Sequence, residues 1–203
     1  MRLKVMAIST IGLLAGLAAG IALLPGALES LLPDKQSWTI GKAAIGGPFQ
    51  LVDHNGRTVT EKTYNGQYLL VFFGFTYCPD VCPAALQTVT AVMKKLGRKA
   101  DRLRPLFISV DPERDRPAVL KQYVSNFDSR IVGLTGSAEQ VSAAAKAYRV
   151  YFRKVKDAGN AGSYTMDHSA FVYLMSPQGE FVTHFTHATP VEKMAERLSA
   201  AIR

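Results

Sequence analysis

Cysteine is the scarcest chemistry-bearing residue of this 203-residue chain, which has two, Cys78 and Cys82. A framework of several disulfides is excluded, so the fold must rest on a packed core. The sequence has no long basic run and no interleaving of aromatic with basic residues. Its formal charge of +8, from 24 Lys and Arg against 16 Asp and Glu, therefore reads as a solvated surface, and nucleic acid is not an expected partner. Internal repeats and low-complexity tracts are absent as well. The length suits one ordinary domain with an appendage.

Charge is missing altogether from Val5 to Leu24, an apolar run of 20 residues. That matches the roughly 20 residues a helix needs to cross the hydrocarbon core of a bilayer. Arg2 and Lys4 precede the run, and the positive-inside tendency keeps them cytoplasmic, with everything beyond Pro25 on the far side. A cleaved signal peptide is the competing reading, because Gly20 and Ala22 are small enough for a cleavage site. The run is longer than the roughly 7–15 residues of a signal core, which favours an uncleaved anchor over residues 1–24. No cysteine follows it to carry a lipid. No Arg- and Ser-rich stretch precedes it, which points to a bacterial inner membrane with the domain in the periplasm. Residues 25–45 read as a tether and 46–203 as the domain.

The domain opens on "FQLVDHNGRTV", where Asn55-Gly56 predicts a tight hairpin turn with positive φ. "YLLVFFGF" and "RPLFISV" are almost unbroken apolar runs, the pattern of strands covered on both faces. Leu86, Val89, Met93 and Leu96 recur at helical spacing and predict a helix from Pro83 to Leu96, ended near Gly97. A short helix from Pro117 to Ser125 and a weaker strand at "RIVGL" follow. Ser137 and Gln140 form a capping box ahead of a helix reaching Tyr148. "SAFVYLM" and "EFVTHF" read as an antiparallel pair, and Thr189, Pro190 and Glu192 as the start of a closing helix. Strands and helices in this order predict a mixed sheet with helices on both faces. A cysteine pair just past the first central strand fits a thioredoxin-like architecture.

Three intervening residues separate the cysteines in "CPDVCP". A helix N-terminus offers unpaired N–H groups and partial positive charge, so both sulfurs are expected to be activated as thiolates. A disulfide closing so short a loop would remove little unfolded-chain entropy, which makes a purely structural bridge a poor explanation. A redox dithiol and a soft metal site both remain open, and a metal needs at least one further donor. His54, His168, His184, His187 and Met166 are the candidates. His54 falls in the predicted turn, a solvated position. His184 and His187 are three apart on a strand and point to opposite faces. His168, in "YTMDHSAFVYL", stands where a buried strand begins, after the loop-like "KDAGNAGSY"; spacing alone suits a ligand and a structural role equally. A peroxidase would want a threonine three residues before its reactive cysteine, and Thr76 is two before Cys78.

On "GFTYCPDVCP", "FISVDPERD" and "DHSAFVYLMSPQGEF", the chain resembles the Sco/SenC family of copper-binding, membrane-anchored assembly factors for cytochrome c oxidase. The resemblance covers roughly residues 45–203. It implies a thioredoxin fold with an inserted hairpin, in which Cys78, Cys82 and His168 bind Cu(I) or Cu(II). It also implies delivery of copper to the dinuclear copper A site of oxidase subunit II, or reduction of that subunit's cysteines. A periplasmic copper donor and a thiol reductant would be the other partners. The "DPERD" acids from Asp111 to Asp115 are expected to serve turn chemistry, surface pairing or a partner, outside the metal shell.

Overall fold

The computed structural model describes residues 44–156 and 163–202. The expected anchor at 1–24 and nearly all of the tether at 25–45 lie outside the described residues. Among the described residues, no helix is long and apolar enough to cross a membrane.

Two short antiparallel strands open the domain, β1 (Gln50–Asp53) and β2 (Thr58–Thr60), with Leu51 opposite Val59. The hairpin is as expected, but its loop spans residues 54–57 and in it only Gly56 takes positive φ, at 83°. The buried Asp53 carboxylate accepts the N–H groups of Asn55 and Arg57 and so closes the first turn itself. One glycine in the left-handed region is then enough.

The two apolar runs become β3 (Tyr68–Gly74) and β4 (Leu103–Ser109), paired in parallel over their whole length. β3 leads into helix α1 (Val81–Leu96), and β4 into α2 (Pro117–Val124). Next come β5 (Val132–Thr135) and α3 (Ala138–Ala147), the latter begun by the expected Ser137–Gln140 capping box. β6 (Phe152–Lys156) and β7 (Tyr164–His168) form a separate two-stranded antiparallel sheet that the sequence pattern did not suggest. β8 (Phe171–Met175), β9 (Phe181–Thr186) and α4 (Val191–Ala201) complete the chain. Thr189, expected to cap α4, instead accepts the Thr186 N–H on its hydroxyl, and Pro190 takes the cap position.

The main sheet runs β2-β1-β5-β4-β3-β8-β9, parallel across β5, β4 and β3 and antiparallel at both ends. It is a mixed α/β sheet, consistent with the expected thioredoxin-like fold. Alternation along β3 separates its faces. Phe72 packs 6.0 Å from Phe107, which lies 5.5 Å from Tyr123 of α2. Phe73 points the opposite way, 5.4 Å from Tyr148 at the end of α3. Phe72, Phe73 and Phe107 are essentially inaccessible, and burying each contributes about 1.5–3 kcal/mol.

Gly74 ends β3 beneath the cysteines. A Cβ added there would stand 2.7 Å from Phe107 Cε2 and 2.8 Å from Cys82 Sγ. Both neighbours are fully enclosed and cannot retreat. Gly74→Ala is expected to destabilise the reduced protein by about 1–3 kcal/mol in urea unfolding. A loss below roughly 0.5 kcal/mol, the range of an indifferent surface change, would contradict this.

Candidate metal centre

The chain leaves β3 at Gly74 and reaches α1 through Phe75–Asp80, with the Cys78 N–H donating to the Phe75 carbonyl. α1 starts at Val81, two residues before the expected Pro83, so Cys82 lies within its first turn. Pro83 still sits where a missing N–H costs nothing. Asp80 occupies the cap position but makes no side-chain cap bond. Cys78 takes over that role: its Sγ accepts the Cys82 N–H at 3.4 Å.

The two sulfurs have different environments. Cys78 is half-exposed, whereas Cys82 is fully buried against Gly74 and Phe107. A hydrogen bond from the Cys82 thiol, with smaller contributions from His168 and from the Cys82 and Asp80 N–H groups, draws the Cys78 pKa down to about 3, against the opposing effect of burial. The same sulfur–sulfur bond and then burial push Cys82 up, so it keeps its proton. Only one of the cysteines is activated, where both were expected to be. Sharing one negative charge between adjacent sulfurs costs less than placing two there.

His168 arrives from the opposite direction. β8 pairs antiparallel with β3, Val172 opposite Phe72, so the residues that precede β8 fall beside those that follow β3. The imidazole stands edge-on to Phe75 at 5.8 Å and to Phe72 at 6.4 Å. Its Nδ1 lies 3.1 Å from the Ser169 carbonyl oxygen, which can only accept, so Nδ1 carries the proton. Nε2 is left facing the sulfurs, 3.7 Å from Cys82 Sγ.

The other candidates stay apart. His54 Nδ1 accepts the Gly133 N–H at 3.0 Å and pins β1 to β5. His184 is exposed on β9 beside Phe171, and His187 is exposed beyond the strand end. Met166 is buried in the core. Asp111 and Asp115, expected near the surface, are buried. Asp115 accepts the Thr76 N–H and hydroxyl and the Ser109 hydroxyl. With Arg114 and Tyr123 it forms surroundings that the motifs alone did not reveal. Only the quoted "DPERD" hinted at them. Burial, with smaller contributions from both cysteines, pushes the Tyr123 phenol up, and its hydroxyl has no hydrogen-bond partner among the described residues.

Two cysteine sulfurs and an imidazole make a soft donor set. Among the described residues, no three His, Cys, Asp or Glu side chains form a ready-made metal cage. The Cys82 sulfur lies 3.7 Å from the His168 Nε2, and its thiol hydrogen-bonds the Cys78 sulfur. Bonds of about 2.3 Å to sulfur and about 2.0 Å to nitrogen, as zinc makes, span roughly 3.7 Å across a trigonal angle. The observed S···N separation already has that value.

A mixed α/β sheet with a Cys-x3-Cys loop opening a helix and a histidine brought beside it describes a small class of thiol and metal proteins. The family model described as SCO1/SenC matches residues 38–203, and the chain belongs to that family. It is 41% identical over 167 residues to the mitochondrial Protein SCO2 of Saccharomyces cerevisiae, covering 80% of this chain and 56% of that one. The chain thus spans about half the length of that curated relative. The copper-bound structure of Bradyrhizobium japonicum ScoI superposes with a TM-score of 0.72 at 46% identity, covering 77% of this chain and 99% of that one. BsSco, a member of the Sco family of cytochrome c oxidase assembly proteins with an identified disulfide switch, has a TM-score of 0.61 at 26% identity, covering 78% and 93%.

An ordinary thiol loses reactivity roughly tenfold per pH unit below its pKa, because only the thiolate attacks. The Cys78 pKa is lowered far beneath its ordinary 9.0, so its thiolate persists as the pH falls and is lost only as the pH approaches 3. Alkylation of the reduced protein by iodoacetamide is expected to stay nearly flat from pH 8 to pH 5 and to vanish in Cys78→Ser. A steep fall over that interval would contradict the assignment.

Proposed function

We propose that this chain is a copper chaperone that holds one ion, as Cu(I) or Cu(II), between Cys78, Cys82 and His168. It passes the ion to the dinuclear copper A centre of cytochrome c oxidase subunit II. The observation that carries this reading is the Nε2 of His168 held 3.7 Å from the buried sulfur while its Nδ1 is fixed on the Ser169 carbonyl. A dithiol exchange site has no use for a third donor oriented in this way. Family membership, the oxidase-assembly role of BsSco and the copper in the Bradyrhizobium japonicum structure support the same reading.

Three donors leave one side of the ion uncovered, which suits cargo that must be handed on. Copper is soft enough to prefer the two sulfurs, and the imidazole accommodates either oxidation state. The apolar segment at 5–24 is proposed to anchor the domain on the periplasmic side of a bacterial inner membrane. There it would meet a copper donor and, because exported thiols tend to oxidise, a thiol reductant.

The asymmetry of the cysteines favours a second reading, thiol-disulfide reduction of the subunit II cysteines. The accessible Cys78 thiolate would attack a client disulfide and release one client thiolate. Cys82, on losing its proton, would then attack Cys78 and release the second. The client gains two electrons, and this chain is left with a Cys78–Cys82 disulfide.

Titration of the reduced protein with Cu(I) distinguishes the two. Wild type is expected to bind one ion tightly. His168→Ala and Cys82→Ser should each weaken binding by more than the roughly 10- to 100-fold typical of a partner outside the ligand shell. Unchanged binding in His168→Ala, together with fast disulfide reduction by wild type, would favour the reductase.

A further inference from the structure

β6 and β7 belong to a sheet of their own, and His168 is its last residue. Among the described residues, the hydrogen bonds and ion pairs that tie this hairpin to the sheet-bearing body, apart from those of His168 itself, end in one turn, residues 111–114. Tyr164, which starts β7, donates its hydroxyl to Asp111 Oδ1 at 2.9 Å. Its carbonyl accepts Arg114 Nη1 at 3.0 Å. The Arg114 guanidinium lies 3.8 Å from the centre of the Tyr164 ring, and its Nε is bonded to the Asp111 carboxylate. Lys154 of β6 reaches Glu113 at 2.7 Å, an exposed pair that adds little.

The same turn also grips the cysteine loop. Asp115 accepts the Thr76 N–H at 2.9 Å and the Thr76 hydroxyl at 2.6 Å, two residues before Cys78. A third bond, from Ser109 at 2.6 Å, fixes its carboxylate to the end of β4. Arg114 also lies over Tyr77, 4.6 Å from the ring centre and next in sequence to Cys78. The planar cation thus contacts a ring of the cysteine loop and a ring of the histidine hairpin, contacts that a lysine's point charge does not reproduce.

We propose that the turn Asp111–Asp115 is the positioning element of this centre, fixing the separation between the cysteine loop and the hairpin that carries His168. Asp115 holds the first, Asp111 holds the second through Tyr164, and Arg114 spans both. This inference rests on the reading of His168 as a copper ligand, and its test separates the two claims. None of the three residues touches the ion. They act through the place they give His168, as partners outside a ligand shell do.

The test uses the full chain with Arg114→Lys, which keeps the charge, and with Tyr164→Leu, which removes the ring. Thermal unfolding establishes that each variant is folded. Competition with a Cu(I) chelator is expected to show affinity reduced roughly 10- to 100-fold in each. In a His168→Ala background the same substitutions should change affinity by no more than roughly twofold, because the residue they position is gone. Unchanged affinity in the folded single variants, or an equal loss in the His168→Ala background, would overturn the proposal. A second readout needs no metal: the contact between the imidazole and the Phe75 ring, seen by NMR of the reduced protein with labelled histidine. It should be present in wild type and weakened in both variants. If His168→Ala binds copper as wild type does, the ligand reading falls and this contact decides alone. Retained in both variants, it overturns the positioning role, and lost in both it supports that role.

Discussion

The antiparallel pairing of β3 with β8 is the constraint on which the rest of the arrangement depends. β3 is among the most apolar segments of the domain and is covered on both faces, so its place in the sheet is set by burial. With Phe72 opposite Val172, the chain leaving β3 and the chain approaching β8 meet at the same edge. A shift of one residue would turn every side chain of β8 to the opposite face and carry the segment holding His168 away from the cysteines. Chemistry at this centre is thus a consequence of hydrophobic register.

Around that meeting point the fold gives three donors three distinct states. The Cys78 sulfur accepts an N–H of the first helical turn in place of the Asp80 side chain, where such donors favour a thiolate. Cys82 is fully enclosed beneath it, where a proton is easier to keep than a charge. His168 is oriented by a backbone carbonyl that takes its Nδ1–H. A soft cation replacing the single Cys82 proton would find the remaining donors already oriented, with little rearrangement. The same asymmetry explains why thiol exchange remains chemically accessible to the pair.

Much of this was legible in the sequence because it is local. The unbroken apolar runs marked β3 and β4, the three- and four-residue spacing from Leu86 to Leu96 marked α1, and Ser137 with Gln140 marked the start of α3. The cysteines at a helix N-terminus followed from those assignments. What escaped notice depends on partners distant in the chain. β6 is "FRKVK", largely exposed and charged, and becomes a strand only because β7 lies beside it. Asp111 and Asp115 resemble surface acids until the bonds to Tyr164 and Thr76, 53 and 39 residues away, show them buried. The unequal cysteines could not be foreseen for the same reason, since burial of Cys82 is supplied by Gly74 and Phe107. Thr189 departs from its expected cap because the Thr186 N–H takes its hydroxyl, while the expected turn at Asn55-Gly56 is closed with help from the Asp53 carboxylate.

The central claim is that two sulfurs and one imidazole nitrogen converge on a single copper ion, and X-ray absorption at the copper edge of the loaded reduced protein tests it most directly. The account predicts two sulfur neighbours and one nitrogen neighbour, with the multiple-scattering signature of an imidazole that disappears in His168→Ala. A first shell of sulfur alone, or an imidazole signal that survives that substitution, would contradict it.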